Sequence, residues 1–330
     1  MKNKQVKLRD LLTTVVFVLI LGGFFVLHLV LTPPEVSLSE RRPLKTLPTL
    51  STETLVTAEF MGSFEDYAAD SFPFRDELRT VRAFSVLDIF RLSDKSGLYY
   101  DKAVGAGKIE KLSEAEARKS AEKIRTMAQG LDGLSVYWSF VPDKSIYASK
   151  NLPGFDPDTT REVMGEVLSD YTFVDITGAL TADDFYRTDL HWNQTKLAAV
   201  TDALSREMGF VSPAAVPRIE TAGDFQGVYT GQLSLPLAPD KLTYYTGGAF
   251  ADLTVKYANE QTFQLETGEL YDVEAFAGRD PYDIFLRGAQ PFIVIENPNS
   301  TTDKELYLFR DSFSSSLAPI LATSYSKVTL

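Results

Sequence analysis

The longest apolar run of the chain is residues 11–32, "LLTTVVFVLILGGFFVLHLVLT", which contains no Asp, Glu, Lys or Arg. A helix needs about 20 such residues to cross the hydrocarbon core of a bilayer, so the run predicts a transmembrane helix. A cleaved signal peptide is the alternative, but its apolar core would span only about 7 to 15 residues. Because "TPPEVSLSE" follows instead of a small-x-small cleavage site, we expect an uncleaved anchor.

The charges before this run predict its orientation. Residues 1–10 carry four basic side chains against the single acid Asp10. Basic residues concentrate on the cytoplasmic side of a membrane span, so residues 1–10 are predicted to form a cytoplasmic tail. We therefore expect a single-pass protein of the cell membrane, with the rest of the chain outside. The four basic residues are Lys2, Lys4, Lys7 and Arg9.

The prolines and the apolar spacing after the span predict a linker followed by helices. Residues 33–50 hold four prolines without a helical period, which predicts an extended linker before a folded domain at 51–330. The apolar spacing over 54–90 predicts two helices separated near Pro73. A further helix is predicted after Ser113, because Ser113 and Glu116 form a capping box.

Short apolar runs later in the chain have the composition of strands. Such near-continuous apolar runs, alternating with helices, are typical of an α/β fold with a parallel sheet covered on both faces. Between about 219 and 290, segments rich in Gly, Tyr and Thr predict an antiparallel, β-rich insertion. The four runs of the main sheet are 134–142, 171–177, 291–298 and 305–312.

The composition of the chain argues against several kinds of site and partner. The chain has no cysteine, which excludes disulfides, a lipid-attachment cysteine and a thiolate site. Residues 33–330 hold 29 basic and 44 acidic residues, a net charge of −15. No basic cluster interrupts this acidic surface, so a nucleic-acid partner is not expected.

One of only two histidines lies in "TDLHW", residues 188–192. Asn193 is placed to cap a following helix that Gly209 ends, so Asp189 and His191 fall in the turn before that helix. In an extended turn the carboxylate reaches the ring, fixes its tautomer and leaves the other nitrogen free as a base. A metal centre is the rival interpretation, but one His and no Cys fall short of a usual zinc ligand set. A third interpretation is that His191 is a structural residue that packs beside Trp192.

A candidate nucleophile follows the last apolar run, in "LYLFRDSFSSSLAPIL". In sheet enzymes, reactive groups gather where strands end, and Ser312 follows such a strand end directly. Backbone N–H groups at the start of the next helix are expected to stabilise an oxyanion. The alternative is an ordinary serine-rich helix cap, which is how we interpret Ser314, Ser315 and Ser316.

Together these motifs resemble the alginate O-acetylation proteins of the AlgJ and AlgX type and, more closely, the DHHW family, all with SGNH-hydrolase-like domains. The resemblance covers most of the chain after the apolar run. It rests on "FEDYAADSFPFRDELR", "VPDK", "TDLHW", "YDIFLRGAQPFIVIENPNS" and "RDSFSSSLAPIL". In that family the Asp-x-His motif precedes the serine, and here His191 precedes Ser312 by 121 residues.

The resemblance implies Ser312 as nucleophile, His191 as base and Asp189 as the acid that orients it. Leu190 departs from the family name by replacing a second histidine, and Arg310 replaces the glycine of a Gly-Asp-Ser block. Arg310 is thus a candidate for the oxyanion environment or for a substrate carboxylate. Lys144 in "VPDK" is a second candidate, with a solvated loop lysine as its alternative. Since the family continues beyond "YSKVTL", we also expect a further segment after this sequence.

These observations predict a membrane-anchored, extracytoplasmic serine O-acyltransferase, in which Ser312 accepts an acyl group and passes it to a cell-surface polysaccharide. The resemblance implies a membrane-bound O-acyltransferase as the partner that delivers acyl groups across the membrane. No metal or other cofactor is expected. A carbohydrate esterase with the same residues is one alternative. A non-catalytic polysaccharide-binding or assembly component is the other.

Overall fold

The apolar run forms a single long helix, α1 (Lys2–Val30). Within it Leu8–Val30 has a mean hydropathy of 2.4, and it is the one helix among the described residues that is long and apolar enough to cross a membrane. The prediction of one N-terminal apolar helix is therefore confirmed. Its length and composition suit a membrane anchor and a signal sequence alike.

The computed structural model describes residues 2–37, 39–212 and 216–330, with side chains from residue 8 onward. Over this range the chain divides into two units, residues 1–85 and 86–330.

The first unit continues from α1 into a short antiparallel strand pair, β1 (Val36–Ser37) with β2 (Arg42–Pro43). Three helices follow, and Pro73 lies between the last two, as predicted. They are α2 (Thr52–Val56), α3 (Glu59–Asp70) and α4 (Arg75–Phe84). Asp70 at the end of α3 is buried and takes a bidentate ion pair from Arg42, which fastens the β1–β2 segment to the helices.

A π-helical turn at Ser85–Ile89 spans the boundary between the units, and the first strands of the second unit are the antiparallel pair β3 (Leu98–Asp101) and β4 (Gly105–Lys108). Helix α5 (Glu114–Ala128) starts at Ser113 with the predicted capping box, and it packs on α6 (Pro157–Val167). Beneath them, β5 (Tyr137–Trp138) pairs in parallel with β6 (Thr172–Phe173), and Trp138 packs against Phe173. Buried alanines on α5 allow this close helix packing.

The largest sheet departs from the prediction. Its five strands are β9 (Thr254–Ala258), β10 (Leu265–Gly268), β11 (Ile293–Glu296), β12 (Glu305–Tyr307) and β13 (Lys327–Thr329). They lie in the order β10-β9-β11-β13-β12, and only β12 and β13 run parallel. The prediction of a parallel sheet is therefore wrong for these five strands, and the prediction of an α/β fold is confirmed as a mixed α/β fold.

The error arises because short apolar runs predict strands but not their direction. Strands β9 and β10 come from the segment expected to form an antiparallel insertion. They belong to the main sheet, because β9 pairs with the buried strand β11. The predicted antiparallel character of the segment is confirmed, both here and in the hairpin of β7 (Arg218–Phe225) with β8 (Asp240–Thr246).

Two helices cover the sheet and position the site. The predicted helix after Asn193 forms as a 3₁₀ turn followed by α7 (Ala198–Met208), which ends at Gly209 in the left-handed conformation. Helix α9 (Phe313–Ala322) begins directly after Ser312 and contains Ser314, Ser315 and Ser316 in its first turn. Both helices bury their apolar residues in one core with β9, β11 and β13. Between α7 and α9 in the chain lies α8 (Val228–Leu233).

Candidate active site

Asp189 and His191 lie in an irregular turn that is buried in the second unit. Asp189 Oδ1 accepts hydrogen bonds from the backbone N–H of His191 at 3.1 Å and from its Nδ1 at 2.7 Å. The turn thus folds the carboxylate back onto the ring two residues later. This is the contact that the extended spacing predicted.

Ser312 completes the arrangement from the other end of the chain. It lies at the N-cap position of α9, is exposed, and places its Oγ 2.8 Å from His191 Nε2. Asp189, His191 and Ser312 therefore form one continuous hydrogen-bonded row, although 121 residues of sequence separate His191 from Ser312. The structure brings together all three residues that the sequence singled out as catalytic candidates.

The charge on Asp189 determines the direction of these hydrogen bonds. Burial raises the pKa of Asp189, but the hydrogen bonds from His191 and from the Val228 N–H outweigh it and lower that pKa to about 2. An ionised carboxylate can only accept, so His191 Nδ1 carries a proton. In the neutral ring, Nε2 then accepts from the Ser312 hydroxyl.

Gly227 makes room for this carboxylate. A Cβ on Gly227 would lie 2.3 Å from the Thr188 carbonyl oxygen and 2.4 Å from Asp189 Cβ. Only glycine therefore allows the start of α8 to approach closely enough for Val228 N–H to reach Asp189 Oδ2, at 2.9 Å.

Three further side chains fix His191 relative to α9. The Trp192 indole N–H donates to the Phe313 carbonyl at 3.0 Å and to Ser316 Oγ at 2.9 Å. The Tyr282 ring stacks on the imidazole, with centroids 3.8 Å apart and planes 8° apart, and its hydroxyl donates to Ser316. Gln194 also donates to the Ser316 carbonyl. The Asp-x-His-Trp turn is thereby bonded to the same helical turn that follows Ser312.

Sequence reasoning missed part of this support. Tyr282 reaches His191 across 91 positions of the chain, and no local spacing indicates that contact. Ser316 was interpreted as a plain cap, yet it is buried and bonded to Trp192 and Tyr282. Gln194, three residues after His191, is the missed contact that lies close to the motif in the sequence.

Lys144 lies behind the site rather than in solvent. Its Nζ donates to the carbonyl oxygens of Asp189 at 2.7 Å and Tyr186 at 2.9 Å, and the side chain is 1% exposed. Burial lowers its pKa to about 8, against the opposing effect of nearby carboxylates. The alternative of a solvated loop lysine is wrong. Lys144 is also not among the described residues that line the cavity beside Ser312.

Arg310 and Asp311 are the two residues before Ser312. Asp311 Oδ1 accepts from the backbone N–H groups of Phe313 at 3.1 Å and Ser314 at 3.4 Å, so these two amides of the expected oxyanion site already have an acceptor. Arg310 donates to Ser315 Oγ at 2.7 Å and to the Gly288 carbonyl at 3.2 Å. Burial lowers the pKa of Arg310, but a guanidinium stays charged at neutral pH. Arg310 thus supplies a cationic donor beside the serine.

A cavity of about 560 Å³ opens beside Ser312. His191, Tyr282 and Arg310 line it on the side of the serine. Aromatic side chains, among them Phe292, Tyr307 and Phe309, line it elsewhere. Its volume is in the range of small-molecule sites, and it combines apolar walls with a few convergent polar groups.

Comparisons with known proteins bear on the fold. No family model matches the sequence, and no curated protein matches it significantly. Among solved structures, a DHHW family protein from Eubacterium siraeum DSM 15702 is similar at 19% identity, with a TM-score of 0.57 over 72% of this chain and 82% of that one. Bacillus cereus PatB1 matches at 18% identity and a TM-score of 0.54, over 70% of this chain and 86% of that one, and has also been solved with a sulfonyl adduct.

A third solved structure is more distant. The O-acetyltransferase domain of Pseudomonas putida AlgJ matches 47% of this chain and 66% of its own length at 20% identity, with a TM-score of 0.36, which supports no conclusion here. The resemblance to the DHHW family is confirmed as a shared fold by the two preceding proteins. At these identities, the comparison extends to the fold alone.

Proposed function

We propose that this chain is a serine O-acyltransferase that modifies a cell-surface or exported polysaccharide, with Ser312 as nucleophile. The observation that supports it best is the row from Asp189 through His191 to an exposed Ser312 at the edge of a cavity. Asp189 holds the imidazole in the tautomer whose Nε2 faces the serine. That is the arrangement needed to make a hydroxyl nucleophilic.

In the first half-reaction, Ser312 Oγ attacks the carbonyl carbon of an acyl ester while His191 Nε2 takes the hydroxyl proton. Arg310 provides positive charge for the developing oxyanion, since it lines the same cavity. The intermediate then collapses, His191 returns the proton to the leaving alcohol, and Ser312 carries the acyl group. Asp189 stays ionised and stabilises the imidazolium that forms between these steps.

In the second half-reaction, a sugar hydroxyl attacks the acyl-serine. His191 takes the proton of that hydroxyl and returns it to Ser312 Oγ, which restores the enzyme. The exposed aromatic rings of Tyr307 and Phe309 at the cavity support a carbohydrate acceptor, because sugars pack their C–H faces on such rings. No described step needs a metal.

We place this reaction outside the cell, with α1 as an uncleaved anchor, residues 1–10 in the cytoplasm and residues 51–330 as the catalytic part. The basic residues before the span support this orientation. Residues 33–50 would then leave the membrane first. Cytosolic acyl donors cannot reach such a site, so we propose a membrane-bound O-acyltransferase as the partner that supplies acyl groups.

A carbohydrate esterase is the second candidate. The exposure of Ser312 favours it, since an open acyl-enzyme is accessible to water as well as to a sugar hydroxyl. The two reactions share the first half-reaction and differ only in the acceptor.

One experiment tests the proposal and separates these candidates. The full chain in detergent is mixed with 4-nitrophenyl acetate, with and without a xylan or cellulose oligosaccharide, and the products are identified by mass spectrometry. We expect release of 4-nitrophenol that Ser312→Ala abolishes and that the neighbouring Ser314→Ala preserves. Acetylated oligosaccharide would support the transferase, and acetate alone would support the esterase. No turnover by folded wild-type protein would overturn both.

A further inference from the structure

Helix α4 in the first unit exposes apolar side chains along one stripe. Phe74 at the N-cap is followed by Leu78 and Val81, whose spacing of three residues places them on one face of the helix. Val81 is 61% exposed and Leu78 is 43% exposed. A surface helix in water normally turns such a stripe toward the protein core.

Two of the five charged side chains of α4, Arg75 and Arg79, point inward, and the other three are exposed. Arg75 and Arg79 are only 16% and 19% exposed, because both pair with Glu40 in the β1–β2 segment. Arg75 also approaches Asp70, whose pKa is lowered to about 2, chiefly by the hydrogen bonds from Arg42. These ion pairs fix the orientation of α4 and leave Leu78 and Val81 on its outward side.

The corner between α3 and α4 identifies that apolar surrounding. Phe72 stacks on Phe24 of α1 with ring centroids 5.2 Å apart, and the Ser71 carbonyl lies 3.3 Å from His28 Nδ1. Phe24 precedes the end of the Leu8–Val30 span by six residues, which is about 9 Å along the helix axis. The corner therefore lies beside a part of α1 that a membrane-spanning helix would hold within the hydrocarbon.

We infer that the exposed stripe of α4 rests in the outer interface of the lipid bilayer, so that this helix and α1 hold the protein to the membrane together. The inference rests on α1 being the anchor, as in the proposed function. The supporting observation is the continuity of the apolar surface. Phe72 stacks on Phe24 of the span and lies two residues before Phe74, where the stripe begins. Amphipathic helices of this kind settle about 5–10 Å into the boundary between headgroups and acyl chains, which matches the depth of Phe24.

The absence of cysteine allows a direct test, since each introduced cysteine is the only site for a nitroxide label. The full chain is reconstituted in phosphatidylcholine–phosphatidylglycerol vesicles, and electron paramagnetic resonance compares collisions with oxygen and with a water-soluble nickel chelate. Leu78→Cys and Val81→Cys probe the stripe. Thr80→Cys is the matched control on the same helix, turned about 100° or more from the stripe. Leu19→Cys, at the middle of the span, reports on the anchor.

We expect the labels at Leu78 and Val81 to lose collisions with the nickel chelate and gain them with oxygen, as at Leu19, while Thr80 does not. A lipid-exposed label at Leu19 with water-exposed labels at Leu78 and Val81 would overturn the inference and leave the anchor standing. A stripe protected from both reagents would also overturn it, since a second copy or another protein would then cover the stripe. A water-exposed Leu19 would remove the anchor and the inference with it. Retained reaction with 4-nitrophenyl acetate verifies that each labelled variant is folded.

Discussion

Two buried aspartates, one in each unit, have nearly the same pKa for different reasons. Asp70 is held near 2 chiefly by the Arg42 guanidinium, which donates two hydrogen bonds to it. Asp189 is held near 2 by hydrogen bonds from His191 and the Val228 N–H, against a burial effect that raises its pKa. By ionisation alone the two carboxylates are indistinguishable.

The difference lies in what each partner can do next. An arginine is permanently charged and only donates, so the Asp70 network continues from Arg42 and Arg75 only to another carboxylate, Glu40, and holds the fold together. An imidazole has a second nitrogen, and His191 extends the contact from Asp189 to a hydroxyl at a cavity. A perturbed pKa therefore marks a candidate functional site only where its partner is able to transfer a proton.

The strongest way to test this contrast is to neutralise each aspartate in turn. Asp189→Asn keeps the shape of the side chain but lets its amide donate to Nδ1, which moves the imidazole proton to Nε2 and removes the base. We expect the rate of Ser312 modification by a fluorophosphonate to fall by about 10³- to 10⁴-fold. The rate is measured by time-resolved intact-mass spectrometry. Asp70→Asn is the matched control, and an equal loss in that variant would refute the contrast.

The converse prediction concerns stability in the first unit. Asp70→Asn removes one of the two carboxylates that Arg42 and Arg75 share, Glu40 being the other, which should destabilise the α3–α4 region by about 1–3 kcal/mol. Hydrogen exchange of the full chain should show faster exchange over residues 59–84, with little change around Ser312. Unchanged protection of that region would show that the ion pairs contribute nothing to its stability.

Acid should affect both carboxylates in the same direction. Because each folded pKa lies below the usual value near 4, each group contributes stability that is present above about pH 4 and is lost as the pH falls toward 2. We expect up to about 2 kcal/mol per group, so the melting temperature of wild-type protein should fall more steeply over this range than that of Asp70→Asn or Asp189→Asn. Parallel curves for all three proteins would contradict the assignment.

The smallest predicted effect is at Tyr282. Tyr282→Phe keeps the ring stacked on His191 and removes only the hydrogen bond to Ser316, which still contacts Trp192 and Phe313. We expect a loss of about 1 kcal/mol in unfolding free energy and less than about a tenfold change in fluorophosphonate rate. Tyr245→Phe, which also loses one hydroxyl contact, should match the stability loss without any change in rate. A larger rate loss would mean that the hydroxyl itself takes part in the chemistry.

The site was more predictable from the sequence than the sheet that supports it. Asp189, His191 and Ser312 were accessible because few residue types do this chemistry, and the chain has only one histidine outside the apolar span. The helices at 114–128 and 198–208 were accessible because capping residues and an apolar period define them locally. The direction of β9, β11 and β13 was not, because strands of three to five residues pair through contacts that no local pattern encodes.

The outward orientation of Leu78 and Val81 on α4 was also not predictable from the sequence. Its apolar stripe and its arginines predict an amphipathic helix whichever way it turns. Only the ion pairs of Arg75 and Arg79 with Glu40 establish which face is outward.

The most direct test of the central claim is the intact mass of the full chain, in detergent, after treatment with a fluorophosphonate. The account predicts a single adduct on the wild-type protein, located at Ser312 by peptide mass spectrometry. That adduct should be retained in Ser314→Ala, slowed in Asp189→Asn and absent in both Ser312→Ala and His191→Ala. An adduct that persists in Ser312→Ala, or none on folded wild-type protein, would contradict the claim that His191 and Asp189 activate this serine.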